Sequence, residues 1–333
     1  MGRVLGASMK LPRRKFLRLA AGAAALPAMP RLASALDYPN RPVRLLVGYP
    51  PGGPNDIIAR LTGQWLSQRL GQQVVIENRP GAGSNLATDE LVRASPDGYT
   101  LLEASGSNAW NAALYEKLDF DFIHDTAPVA STVRTVSVLE VNPSFPARSV
   151  PEFIAYAKAH PGKINAATAG PGSAPHLYVE LFKMLAGVDL VDVSYRGAGP
   201  ALIDLLSGRV QVMFDAFPSS IEHIRARRLR PLAVTSATPS ELLPDIPALN
   251  EFVPGYEATG WQGIVAPKGT ATEVIEKLNR EINLGIADPR VRARLAALGV
   301  EPFASSPAEF GRFIIEYTEK WAKLIRAARI RVQ

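Results

Sequence analysis

VRLLVGYPPGGPNDIIARLTGQWLSQRLG, residues 43–71, decides how this chain is read. A strand-like run, 43–48, stops at the corner Tyr49-Pro50-Pro51-Gly52-Gly53-Pro54-Asn55-Asp56 and resumes with apolar residues at helical spacing. Pro54 at the first helical position leaves no amide unpaired, and Asp56 suits the positive end of the helix dipole. The glycines let the backbone approach a bound group closely. Amides at such a helix start hold a phosphate or a carboxylate alike, so the segment predicts a strand, an anion-binding loop and a helix.

The same pattern continues outward from this segment. Strand 73–77 leads into Asn78-Arg79-Pro80-Gly81-Ala82-Gly83-Ser84-Asn85, with Asn85 expected to cap a helix through Arg93, and strand 99–104 leads into Ser105-Gly106-Ser107-Asn108. After an extended stretch at 133–141, a second series begins with the Ser149-Val150-Pro151-Glu152 capping box. It places Thr168-Ala169-Gly170-Pro171-Gly172-Ser173 and Tyr195-Arg196-Gly197-Ala198-Gly199-Pro200 at further strand ends. Alternation of this kind predicts two α/β units with parallel sheets. Ligands bind at the carboxyl ends of strands in such sheets, so two facing edges predict a cleft. The chain is expected to cross between units near 133–141 and to return near 256–266.

The first 35 residues predict export. Arg13-Arg14-Lys15-Phe16-Leu17 precedes an alanine-rich apolar run and Ala33-Ser34-Ala35, the order of a twin-arginine signal with its cleavage site, and the mature chain is expected to start near Leu36. This leader holds seven of the 37 basic residues and none of the 31 acidic ones, so the mature chain is close to neutral. The high pI therefore gives no support for a nucleic-acid partner. Absence of cysteine excludes disulfides and thiolate metal sites.

Catalytic constellations are weak throughout. Gly81-Ala82-Gly83-Ser84-Asn85-Leu86 fails the dinucleotide fingerprint at Leu86, and no phosphate-binding GxxxxGK[ST] loop occurs. Ser173 lies in GPGSAPH rather than GxSxG, and it stands three positions before His176 at a helix start, a poor geometry for a serine and its base. Capping is the favoured role for Ser173. Arg196 suits a carboxylate clamp or a surface pair with Asp204 equally, and Asp215 suits a ligand hydroxyl or amine or a helix cap. No metal or cofactor is called for.

With these loops placed, the chain closely resembles the tripartite tricarboxylate transporter receptors, the Bug family of extracytoplasmic solute receptors. The matching stretches are 38–61, VVIENRPGAGSN at 74–85, SPDGYTLL at 95–102, 141–182, VSYRGAGPALIDLLSGRVQVMFD at 193–215 and LAVTSATPSELLPDIPAL at 232–249. Ser84 stands where a third glycine is common, and Ser194 where a proline often precedes Tyr-Arg-Gly. The resemblance implies an α/β, two-lobed periplasmic-binding-protein type II (Venus flytrap) fold with a ligand cleft between lobes. It implies binding of a carboxylate through Tyr49, Pro51, Gly52, Gly53 and Asp56, with Ser107 and Asn108. Across the cleft stand Thr168, Ala169, Gly170, Ser173 and His176, and Arg196, Gly197 and Asp215 complete the wall. The expected lobes are 36–138 plus 257–333, and 139–256. The function expected is periplasmic capture of a small organic anion for membrane transporter subunits, by a monomer that is not an enzyme. An exported α/β hydrolase and a receptor for a sensor kinase are the alternatives.

Overall fold

The computed structural model describes residues 38–328 together with Gly2 and Ile330, so the export-signal reading rests on residues outside that set. Strand β1 (Val43–Val47) is buried except at Arg44 and sits between two parallel neighbours. Helix α1 (Pro54–Leu70) links it to β2 (Val74–Asn78), and α2 (Asn85–Val92) leads to β3 (Thr100–Ser105) on the other side. The half-exposed Arg44 donates to Glu77 at 2.8 Å and Glu90 at 2.6 Å, which ties α2 to the strands. Helices α3 (Gly106–Leu114) and α4 (Phe122–Asp125) then deliver the chain to β4 (Thr126–Val141), whose 16 residues serve two sheets.

The second lobe follows as α5 (Val150–Ala159), β5 (Asn165–Thr168), α6 (Ala174–Ala186), β6 (Val191–Ser194), α7 (Ala198–Ser207), β7 (Val212–Ala216), α8 (Phe217–Arg225) and β8 (Arg230–Val234). Strand β5 runs parallel to both β6 and β7. The chain returns through β9 (Thr259–Pro267), α9 (Thr272–Ala287), α10 (Pro289–Ala297), β10 (Val300–Pro302) and α11 (Pro307–Ala327). Connected strands run in the order β2-β1-β3-β9-β4-β7-β5-β6.

The switch between lobes is sharp. Val136 of β4 pairs with Thr259 of β9, whereas the next residue, Ser137, pairs with Ala216 of β7. Thr235, just past β8, braces this point by accepting from Ala258 N and donating its own amide to Ser137 O. Two extended segments side by side can bend together without losing sheet hydrogen bonds elsewhere, which is the mechanical requirement of a hinge.

Helix α11 explains how its lobe closes. Phe310, Ile314, Tyr317, Trp321 and Ile325 recur at the spacing of one helical face, and all are buried. Tyr317 and Trp321 meet Trp110 of α3 at 5.8 and 4.8 Å between ring centroids. The same buried cluster continues through Tyr178, 5.8 Å from Trp321, into the second lobe at Phe153, Phe182, Phe214 and Tyr256. The Asn85 cap expected from the sequence does not form. Ser84 takes the cap position with φ 78°, and Asn85 Oδ1 instead accepts from Asn111 at 2.6 Å.

Candidate functional site

Five helices begin at one cavity between the lobes. Gly53 and Pro54 start α1, Gly106 and Ser107 start α3, Ser173 and Ala174 start α6, Ala198 starts α7 and Ala216 precedes α8. First-turn amides have no partner within their own helix, and each start carries partial positive charge. Among the described residues no Lys, Arg or His lines the cavity, whose volume is about 70 Å³. The positive features of this lining are the backbone dipoles of its helix starts.

The corner that opened the reading is held by side chains behind it. Asp56 is buried and accepts from Gly52 N at 3.0 Å, Asn78 Nδ2 at 2.9 Å and Arg60 Nε at 2.9 Å. Its carboxylate faces the loop, outside the cavity lining, and so shapes Tyr49 to Gly53 from behind. Pro51 and Gly52 are exposed, and Pro50, which the sequence reading passed over, lines the cavity with Tyr49 and Gly53. Burial pushes the Tyr49 phenol far above its usual range, against the hydrogen bond with Ser107, so it is a neutral polar group. Asn55 is aimed by its bond to Glu103 at 3.1 Å, whose carboxyl burial raises well above the usual range.

Ser107 lines the cavity, but Asn108 spends its amide internally. Its Oδ1 accepts from Ser105 N, and its Nδ2 donates to Ser84 and Thr88. On the facing lobe, Ala169 and Ser173 line the cavity, and Thr168 is buried behind them with Oγ1 unpartnered. His176 is turned away: Nδ1 accepts from Gly172 N at 3.3 Å and Nε2 lies 3.8 Å from Asp192. Ser173 Oγ accepts from the His176 amide, so the pair makes a cap and no nucleophile–base contact.

Gly170, Arg196 and Gly197 border a second, outer cavity of about 350 Å³ together with Tyr49 and Gly81. Arg196 is exposed there, and Asp204 is already engaged by Arg209 at 2.9 Å and by the Tyr195 hydroxyl at 2.8 Å. Asp215 is fully buried and lines the inner cavity. Burial pushes its carboxyl up to about 6, against the hydroxyls of Ser219 and Ser220. The inner wall also holds residues that the sequence reading left in strands and helices, among them Thr135, Tyr178, Gly260, Trp261 and Gln262. They belong to the crossing strands and to α6, and no loop motif announces them.

The lobes are drawn together over this cavity. Trp110 Nε1 of the first lobe donates to Gly172 O of the second at 2.9 Å. Gly197 stands against Pro50, such that a Cβ on it would lie 2.8 Å from the proline ring.

Two α/β lobes joined by paired crossing strands, with a cavity between them lined by helix starts, have the architecture of a solute-binding receptor. Residues 58–330 match the tripartite tricarboxylate transporter family receptor, TctC. BugT of Bordetella pertussis is 37% identical over 296 residues, covering 88% of this chain and 91% of its own. Among solved structures, Rpa4515 of R. palustris with adipate is 35% identical with TM-score 0.86, covering 89% of this chain and all of that one. The periplasmic binding protein BugD is 32% identical with TM-score 0.85, at the same coverage. The chain belongs to the tripartite tricarboxylate transporter receptor family, the TctC or Bug receptors. Its members are periplasmic substrate-binding receptors that work with a membrane transporter, not enzymes.

Proposed function

We propose that this receptor captures a small organic carboxylate, closes over it and delivers it to the membrane subunits of a tripartite tricarboxylate-type transporter. The observation that carries the reading is the convergence of five helix starts on a cavity that no cationic side chain lines among the described residues. Hydrogen bonds to a charged group contribute about 1.5–3 kcal/mol each, so roughly four of them, offset by closure and desolvation, reach the ~8 kcal/mol of micromolar binding. The adipate carried by Rpa4515 is consistent with this class of ligand. A single copy suffices, because both walls come from one chain. The switch of β4 at Val136 and Ser137 supports a division into lobes 36–138 plus 257–333 and 139–256.

Thermal unfolding of the mature chain against a panel of carboxylates, amino acids and amides tests the reading. A ligand at about 100 times its Kd is expected to raise the Tm by roughly 3–6 °C. A panel in which no carboxylate shifts the Tm would remove the proposal's support.

Export through the twin-arginine pathway belongs to the same proposal and rests on Arg13-Arg14 ahead of the apolar run. Lysine at both positions is expected to hold the precursor in the cytoplasm, read by fractionation. Normal export of that variant would refute this route.

A further inference from the structure

The cavity contains one side chain that a bare carboxylate does not call for. Asp215 lines it from the end of β7, fully buried, with Oδ1 making no hydrogen bond among the described residues. The other oxygen, Oδ2, accepts the hydroxyls of Ser219 at 2.5 Å and Ser220 at 3.0 Å. Ser220 Oγ also lies 2.7 Å from Glu140 Oε1 on β4, and Glu140 is itself fully buried.

A serine hydroxyl has one proton and cannot donate to two carboxyls at once. One of the two contacts therefore uses a proton carried by a carboxyl. Glu140 has this single side-chain hydrogen bond among the described residues, whereas Asp215 Oδ2 is met by two hydroxyls, Ser220 and Ser219, the latter lying closer to it at 2.5 Å than to its alternative acceptor Ala216 O at 3.0 Å, so the proton belongs on Glu140. Donation runs from Glu140 to Ser220 to Asp215, and the negative charge stays on Asp215. Among the described residues no cation lines the cavity to neutralise it.

A ligand whose carboxylate sits at the helix starts thus meets an anionic acceptor elsewhere on the wall. A ligand group that only accepts hydrogen bonds is repelled there, while one that donates satisfies Oδ1. We propose that Asp215 sets the specificity of the receptor, favouring carboxylates that carry a hydrogen-bond donor, a hydroxyl or an ammonium, over their donor-free counterparts. This inference rests on the carboxylate reading given under Proposed function.

Calorimetric titration of matched acids tests it: propanoate, lactate and alanine; succinate, malate and aspartate; adipate with its hydroxy and amino derivatives. In the set that binds best, the better of the hydroxy and amino acids is expected to bind about tenfold or more tighter than the donor-free acid. Whether the hydroxy or the amino acid leads identifies the donor. In Asp215→Asn, whose neutral amide oxygen is a weaker acceptor than the carboxylate, the gap is expected to narrow to about threefold or less. The wild-type ranking decides the matter even if that variant does not fold. Equal or tighter binding of the donor-free acid to wild type, or an unchanged gap in folded Asp215→Asn, would overturn the specificity role alone. Binding of no acid in any set would overturn the carboxylate reading and this inference with it.

Discussion

Gly197→Ala is expected to weaken carboxylate binding by about ten- to a hundredfold while the chain still folds. Gly197 precedes α7 with φ 111°, and an added Cβ would stand 2.8 and 2.9 Å from Cδ and Cγ of Pro50. The proline ring cannot swing aside, and it projects from the corner that begins α1. Overpacking of this kind costs about 1–3 kcal/mol, and it is felt only when the lobes are together. The positive φ adds strain of about 1–3 kcal/mol in the open and closed states alike. The two costs separate experimentally. Backbone strain lowers the Tm of the ligand-free protein, whereas the clash with Pro50 lowers affinity in titration calorimetry. A variant with lowered Tm and wild-type affinity would show that the bound lobes do not approach as closely as Gly197 and Pro50 do.

That approach of two glycine- and proline-rich loops marks the boundary of what the sequence makes legible. Strand, corner and helix in 43–71 are local events, set by alternation, by Pro54 at a helix start and by glycines at a turn, and they stand where the sequence puts them. The helix-start loops likewise bring Tyr49, Gly53, Ser107, Ala169, Ser173 and Asp215 to one cavity. Direction within a loop is less legible. Asp56 and Asn108 lie in those loops, yet local donors claim their side chains. Competition among short-range hydrogen bonds decides such cases, and spacing carries no record of it. The hinge residues are harder still. Only 133–141 of the sixteen-residue β4 reads as extended, because 126–132 lacks clear alternation and its pairing to β9 shifts register twice. Thr135, Gly260 and Gln262 reach the cavity solely because two distant strands pair across the hinge.

Asp56→Ala is expected to lower the Tm at neutral pH by roughly 3–7 °C, from about 2–4 kcal/mol of lost stability. The carboxylate satisfies the Gly52 amide, the Asn78 side chain and Arg60 at once, and it is 3% exposed. Alanine leaves the Asn78 amide without one of its two acceptors, and the other is Tyr49 O, at the centre of the cavity-facing corner. A looser corner presents its helix start less well, so affinity is expected to fall by about tenfold. The pH dependence follows from the same contacts. Burial works against the charge on Asp56, but Arg60, the Gly52 amide and Asn78 outweigh it and hold the folded carboxyl below its ordinary range. The unfolded chain then binds the proton more readily than the folded one. Stability contributed by Asp56 is therefore complete above the unfolded value, about pH 4, and is lost as pH falls through the lower folded value. The Tm gap between wild type and Asp56→Ala is expected to stay constant from neutral pH down to about pH 4–5 and to shrink below it. A gap that stays the same down to about pH 2 would mean that the alanine acts by altered packing, and that the charge of Asp56 is not what fixes the corner.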